Sequence, residues 1–286
     1  MNKFDIRDAD EFSKIVSAGA MVENLAAGFT FLEGPAWVGK GQDAFLVFSD
    51  IPAHQMFRWH SQGMATVFRE DSNASNGNTA DRQYRLVTCE HGTRRVTRTE
   101  ADGRITVLAD KFQGKRLNSP NDVVVKSDDC IYFTDPPYGL RDRNKKELPG
   151  HYVFRFNPAT GEMRIVADDL EMPNGLCFSP DEKLLYIADS GKAHHVRVYD
   201  VQVDGTLENG RVFCTIDAGV PDGMRVDPAG RLFSTAGDGI HIFRPTGELI
   251  GKILVPEVPA NLCFGGVDGK TLFITATHSL YSIRVS

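Results

Sequence analysis

The chain has 286 residues, of which 41% are hydrophobic, and its formal net charge is −6. This length allows a large buried core, and we expect one domain, 1–286, because all-β folds of this size commonly form a single unit. The acidic balance, the acidic N-terminus and the absence of long apolar runs predict a cytoplasmic protein with no nucleic-acid partner and no membrane partner.

The first 28 residues precede the repeated part of the chain. We expect this range, 1–28, to form a short N-terminal extension and closing segment. One helix is predicted within it, from Ala9 to Gly19, where Glu11 and Lys14 lie one turn apart.

Short apolar segments that end in a small or acidic residue recur along the rest of the chain. Six such segments end at Asp50, Glu90, Asp135, Asp189, Ala236 and Ala276. Their ends lie 40, 45, 54, 47 and 40 positions apart, and turns rich in Gly, Pro and Asp separate them. This period and composition are typical of four-stranded propeller blades. The sequence therefore predicts an all-β fold, a six-bladed β-propeller with a short N-terminal extension.

The inner strands of a propeller line a central channel, so residues at matched positions converge there. The start of each inner strand lies about 14 to 17 residues before a segment end, by the repeat pattern. These starts are Glu33, Asn76, Asn121, Asn174, Asp222 and Ala260. Five of the six carry a side-chain oxygen, which predicts a polar pocket on the axis.

A ring of buried oxygens is unfavourable unless a partner neutralises it. The charges of Glu33 and Asp222 would balance one divalent cation, and a ligand set without His or Cys suits Ca²⁺ or Mg²⁺ better than Zn²⁺ or copper. Taken singly, triplets such as Pro173-Asn174-Gly175 are more often simple turns. Glu33 is a poor turn former, however, and five matched sites share the same chemistry.

Several motifs resemble those of a known family. They are "FLEGPAW", "SNGNTADRQYRLVTCEHGTRRVTR", "LNSPNDVVV", "YFTDPPYGL", "MPNGLCFSPD" and "PDGMRVD". Together they resemble the SMP-30/gluconolactonase/LRE family of six-bladed propellers, which includes regucalcin and, more distantly, diisopropylfluorophosphatase. The resemblance runs from about Phe31 to Ile283 and is strongest to the bacterial gluconolactonase branch.

The resemblance implies a divalent metal in the channel, held by Glu33, Asn121, Asn174 and Asp222. Ca²⁺ is the expected ion, with Mg²⁺, Mn²⁺ and Zn²⁺ as alternatives. The family's aspartate, here Asp222, is also the implied catalytic residue, acting as a general base. The sequence leaves open whether Asp222 or a water bound to the cation starts the attack.

Five residues are predicted to contact the substrate. They are Asn76, His91, Arg116, Asn118 and Asn121. For two of them the sequence leaves a structural alternative open: Asn118 would then only shape a turn, and His91 would be a satisfied structural histidine.

The resemblance implies a metal-dependent hydrolase that opens the ring of an aldonic-acid lactone such as glucono-1,5-lactone. A phosphotriesterase of the diisopropylfluorophosphatase type, with Asp122 or Asp222 as nucleophile, is the alternative enzyme. A non-catalytic propeller braced by a metal is the third interpretation, since propellers host many functions. The sequence predicts neither the preferred lactone nor the oligomeric state.

Overall fold

The structure, a computed structural model, describes residues 3–17, 19–60 and 63–286. It begins with strand β1 (Phe4–Ile6), helix α1 (Ala9–Ser13) and strand β2 (Glu23–Ala27). The Asp8 side chain caps α1 by accepting a hydrogen bond from the backbone N–H of Glu11 at 3.0 Å.

Helix α1 is shorter than the predicted segment, which also contains residue 18, outside the described residues. The backbone N–H of Lys14 bonds to the carbonyl of Glu11, and that of Ile15 to the carbonyl of Phe12. These three-residue spacings are the tighter turns in which α-helices commonly end.

From residue 32 onward the described strands form antiparallel sheets, the blades. Blade 1 contains β3 (Leu32–Val38), β4 (Phe45–Asp50), β5 (Gln55–Trp59) and β6 (Ala65–Arg69). Blade 2 contains β7 (Ser75–Ala80), β8 (Leu86–Glu90), β9 (Arg95–Thr99) and β10 (Ile105–Ala109). A two-stranded ribbon follows, made of β11 (Lys111–Phe112) and β12 (Lys115–Arg116). Blade 3 contains β13 (Val123–Val125), β14 (Ile131–Asp135), β15 (Tyr152–Asn157) and β16 (Glu162–Ala167).

The second half repeats this arrangement. Blade 4 contains β17 (Pro173–Phe178), β18 (Leu184–Asp189), β19 (His195–Val201) and β20 (Leu207–Thr215). Blade 5 contains β21 (Met224–Val226), β22 (Leu232–Ala236), β23 (Gly239–Phe243) and β24 (Leu249–Leu254). Blade 6 contains β25 (Pro259–Gly265), β26 (Thr271–Ala276) and β27 (Ser279–Arg284). Short 3₁₀ helices span Gly41–Asp43 and Arg143–Lys145.

The N-terminal strands complete the last two blades. Strand β2 pairs with β27, with Ala27 opposite Ser279, and is the fourth strand of blade 6. Strand β1 pairs with β24, with Phe4 opposite Ile253, and is a fifth strand of blade 5. An N-terminal strand, β2, therefore pairs with the C-terminal strand, β27, in blade 6, and β25 of this blade contacts β3 of blade 1, which closes the ring.

The predicted six-bladed β-propeller is confirmed. Every predicted segment end is the last residue of the second strand in its blade. The first strands of neighbouring blades contact one another, as β3 does with β7 and β17 with β21. The buried hydrophobic clusters lie mainly between adjacent blades. None of the helices in the described ranges is long and apolar enough to cross a membrane.

Phe12 of α1 is expected to contribute strongly to stability. Its side chain is buried with Ile240, Ile250 and Ile253 of blade 5. Phe12→Ala should lower the free energy of unfolding by about 3–5 kcal/mol, because it removes a large buried ring and leaves a cavity. Denaturant unfolding measures this, with Val203→Ala at a fully exposed position as control. A loss below about 1 kcal/mol would mean that α1 does not hold the blade.

Candidate functional site

The starts of five inner strands line a cavity of about 350 Å³. These are the predicted oxygen-bearing residues Glu33, Asn76, Asn121, Asn174 and Asp222. The remaining lining residues are Phe31, Ile51, His91, Tyr138, Ser190 and Val220. The structure therefore brings the four predicted metal ligands together in one cavity, together with the predicted substrate contacts Asn76 and His91.

A chain of hydrogen bonds links the amides around the cavity. Asn76 Nδ2 donates to Asn121 Oδ1 at 2.6 Å, and Asn121 Nδ2 donates to Asn174 Oδ1 at 2.5 Å. Asn174 Nδ2 donates to Ser190 Oγ at 3.0 Å, and Ser190 Oγ donates to the carbonyl of Pro221 at 2.6 Å. These hydrogen bonds fix side chains of blades 2, 3 and 4 relative to one another. The last bond reaches the carbonyl of Pro221, the residue before Asp222.

The glycine that follows a site residue allows adjacent blades to approach closely. A Cβ at Gly175 would lie 2.2 Å from the carbonyl oxygen of Asp222, and one at Gly34 would lie 2.0 Å from the carbonyl oxygen of Asn76. Asn174 and Gly175 lie within strand β17, so this pair is not a turn. Its glycine is required for close packing of the inner strands near the axis.

Three carboxyl groups lie close together here: Glu33 and Asp222 line the cavity, and Asp122 lies behind its wall. Glu33 and Asp122 are buried, and Asp222 is partly exposed to the cavity although protein atoms surround it. Burial, followed by the charge of Asp122, raises the pKa of Glu33 to about 7. Burial also raises the pKa of Asp122, and burial together with Glu33 and Asp122 raises the pKa of Asp222.

The protein supplies little positive charge to this cluster. Arg225 Nη1 lies 3.9 Å from Asp122 Oδ2. Within the described part of the chain, neither Glu33 nor Asp222 forms an ion pair with a lysine, arginine or histidine. These two carboxylates would carry a charge of −2 that no ion pair among the described residues balances. One divalent cation would neutralise that charge.

A second acidic cluster has its own cation. Asp217, Asp238 and His241 lie close enough together to hold a metal ion. However, Lys252 Nζ donates to Asp217 Oδ1 at 2.7 Å and to Asp238 Oδ2 at 3.0 Å. This ammonium group contacts both carboxylates and offsets one of their two negative charges, so the central cavity is the better candidate for a metal.

His91 lies on the cavity wall beside Asn76. Burial lowers its pKa to about 4, so the ring is neutral at pH 7. Its Nε2 lies 3.2 Å from Asn76 Nδ2 and accepts that hydrogen bond, which places the ring proton on Nδ1. Asn76 Oδ1 is buried and has no hydrogen-bond partner among the described residues, so it remains available as an acceptor.

Two predicted substrate contacts do not line the cavity. The Asn118 side chain is fully buried, and its Nδ2 donates to the carbonyls of Asp135 and Gly150 at 2.9 and 3.0 Å. These contacts hold the loop before β13 in place. Arg116 is exposed, and its Nη2 donates to the carbonyl of Thr93 at 3.0 Å. A role for either residue in substrate binding stays a prediction.

Sequence reasoning missed several residues of the wall. Ile51, His91 and Ser190 each directly follow a predicted segment end, and of these only His91 was predicted to contact substrate. The position directly after a segment end could therefore have been used to predict that Ile51 and Ser190 line the cavity. Asn261 was also missed: its Nδ2 donates to Glu33 Oε2 at 3.0 Å, beneath the cavity.

Comparisons with known proteins agree with these motifs. A family model described as SMP-30/Gluconolactonase/LRE-like region matches residues 31–278. A gluconolactonase from Zymomonas mobilis is 35% identical over 297 residues, covering 94% of this chain and 83% of that protein. A 6-deoxy-6-sulfogluconolactonase from Pseudomonas putida is 34% identical over 144 residues, covering 48% of this chain and 47% of that protein.

A solved structure extends the similarity to the whole fold. A gluconolactonase from Xanthomonas campestris is 36% identical and has a TM-score of 0.93 to this chain. The match covers 100% of this chain and 96% of the other. The predicted resemblance is therefore confirmed, and the chain belongs to the SMP-30/gluconolactonase/LRE-like family, with its bacterial gluconolactonases among the similar proteins.

Proposed function

We propose that this protein is a metal-dependent hydrolase that opens the ring of an aldonic-acid lactone such as glucono-1,5-lactone. The similarity to two gluconolactonases and one 6-deoxy-6-sulfogluconolactonase supports this substrate class. The observation that carries the proposal is the pair of clustered carboxyl groups, Glu33 and Asp222, which line the cavity beside three amides and form no ion pair among the described residues.

The donor set fits a hard divalent cation. Glu33 and Asp222 offer carboxylate oxygens, and Asn121 and Asn174 offer amide oxygens. Oxygen-only sites favour Ca²⁺, which accepts six to eight such ligands, and Ca²⁺ is the ion we propose. Mg²⁺, Mn²⁺ and Zn²⁺ are alternatives that availability would decide.

A cation held by these residues would supply Lewis-acid chemistry, which stabilises negative charge on a lactone carbonyl oxygen. Asp222 accepts the proton from the attacking water as the oxygen–carbon bond forms. It then returns this proton to the ring oxygen as the ester bond breaks. The product is the open-chain hydroxy acid.

The other lining residues orient the substrate. Hydrogen bonds between the side-chain amides of Asn76, Asn121 and Asn174 fix their orientation, and these amides face the sugar hydroxyls. Apolar side chains of Phe31, Ile51 and Val220 at the cavity wall can pack on the C–H face of the ring. A preorganised polar wall of this kind limits the entropy lost on binding.

Hydrolysis of two substrates by one preparation tests this proposal. Glucono-1,5-lactone should be hydrolysed well above its spontaneous rate, and diisopropyl fluorophosphate much more slowly. Asp122, a possible nucleophile of the phosphotriesterase alternative, does not line the cavity, and Asn261 Nδ2 lies 3.4 Å from its Oδ2. Faster hydrolysis of the phosphorus compound would support that alternative, and hydrolysis of neither would support a non-catalytic propeller.

A further inference from the structure

We propose that the preferred lactone carries an anionic group, a carboxylate, phosphate or sulfonate, which binds in a second cavity beside the catalytic one. This inference rests on the proposed lactone hydrolysis and names the substrate class more closely. The residues that carry it are Arg94 and Arg141, neither of which was predicted to have a functional role.

The second cavity adjoins the catalytic cavity. It has a volume of about 530 Å³, and Ile51, His91 and Tyr138 line both cavities. One molecule can therefore place its ester group beside Asp222 and extend past Tyr138 into the second cavity. Sugar lactones offer such an extension at the carbon atoms farthest from the carbonyl group.

The two cavities have opposite charge. The catalytic cavity is lined by Glu33 and Asp222, whereas the second cavity is lined by Arg94 and Arg141 and, among the residues that the structure describes, by no carboxylate. This contrast is local, because the whole chain is acidic, with a net charge of −6. A concave basic surface next to a reaction site raises the local concentration of anionic substrates.

Arg94 is fixed and incompletely paired. It is 9% exposed, and its Nε donates to the carbonyls of Leu117 and Asn118 at 2.6 and 2.9 Å. Its Nη1 lies 3.5 Å from Glu147 Oε1, on a side chain that is 40% exposed. Its Nη2 is buried and has no hydrogen-bond partner among the described residues. The guanidinium is therefore oriented in advance, and an exposed carboxylate neutralises it only weakly.

Arg141 provides a second positive charge at the wall of this cavity. It is exposed on the loop between β14 and β15 and forms no ion pair with a carboxylate in the described ranges. Arg116, whose positive charge acts on Arg94, adds to the same basic field. Arginine binds planar and tetrahedral anions through paired N–H groups, which suits the three anion classes named above.

Steady-state kinetics with two lactones test the inference. The probes are glucono-1,5-lactone and 6-phosphoglucono-1,5-lactone, assayed with the metal-loaded protein and corrected for spontaneous hydrolysis. We expect kcat/KM to be about tenfold or more higher for the phosphorylated lactone, because a hydrogen bond to a charged group contributes roughly this factor. Arg141→Gln should reduce the ratio of the two kcat/KM values toward one, mainly through KM.

Arg143→Gln is the matched control, because Arg143 is an exposed arginine on the same loop but does not line the second cavity. It should leave the ratio unchanged. The inference would be overturned if the protein hydrolysed the neutral lactone without preferring the anionic one, or if Arg141→Gln did not lower the ratio of the two kcat/KM values. Either result would leave the proposed lactone hydrolysis intact.

If neither lactone is hydrolysed, the proposed function fails and a binding measurement decides the inference. Titration of the protein with inorganic sulfate should then show binding that Arg141→Gln weakens and Arg143→Gln does not. No sulfate binding, or equal binding by both variants, would overturn the anion site.

Discussion

Asp222→Asn is expected to lower kcat/KM for glucono-1,5-lactone by about 10²- to 10⁴-fold, the range that a positioned general base contributes. The amide keeps an oxygen at the cavity wall but cannot accept the proton of the attacking water. A pH-stat assay measures the effect. The loss should fall mainly on kcat, because the side chain acts in the transition state more than in substrate binding.

The same variant should not lose its fold. Burial and the neighbouring Glu33 and Asp122 raise the pKa of Asp222, so removing its charge relieves repulsion in the metal-free protein. The thermal midpoint of chelator-treated Asp222→Asn should therefore equal or exceed that of the parent. Asp110→Asn, at an exposed position, is the control and should retain full activity. Full activity in Asp222→Asn would eliminate the proposed base.

Removal of divalent metal is the second large effect. Treatment with a chelator should lower kcat/KM by at least about 100-fold, since Lewis-acid stabilisation contributes several kcal/mol to the transition state. Calcium added back in excess should restore activity, and elemental analysis should find one ion per chain before treatment. A chelated preparation that retains full activity would contradict the proposed metal dependence.

Metal removal should also make stability depend on pH in a defined direction. The pKa of Glu33 is raised from 4.5 to about 7, so the folded state disfavours its ionised form. The contribution of Glu33 to the free energy of unfolding of the chelated protein should be greatest below about pH 4.5. It should be lost as the pH rises through about 7. Calcium should stabilise the protein most above that pH, where Glu33 is ionised.

Thermal unfolding of the chelated protein between pH 5 and pH 8 measures this slope. Glu33→Gln should flatten it, because the substituted side chain cannot ionise. The Asp122 and Asp222 carboxyl groups, whose pKa values are also raised, should leave a residual slope of the same sign. A thermal midpoint that rises with pH in the chelated parent would show that another group balances these charges.

The inner-strand residues show why part of the site was predictable. Glu33, Asn76, Asn121, Asn174 and Asp222 occupy one matched position in successive repeats, and they line one cavity. In a propeller, repeat position along the chain fixes distance from the axis. The spacing of the segment ends was therefore enough to select these residues without knowledge of any contact.

Loop residues were less predictable. Tyr138 and Val220 line the cavity from loops that obey no period, and Asn118, predicted to face substrate, bonds instead to the carbonyls of Asp135 and Gly150. The direction of a loop side chain depends on partners distant in sequence. A single sequence does not specify those partners.

The amino-acid sequence by itself determined the number of blades and the ring of oxygen-bearing residues, because both follow from a repeat of alternating strands and turns. Only the tertiary structure decided which carboxylates lack a cation, which amides bond to one another and where Arg94 and Arg141 adjoin the catalytic cavity. The physical reason is that pKa shifts, hydrogen bonds and cavity walls arise from contacts between blades, and those contacts join residues that no local pattern connects.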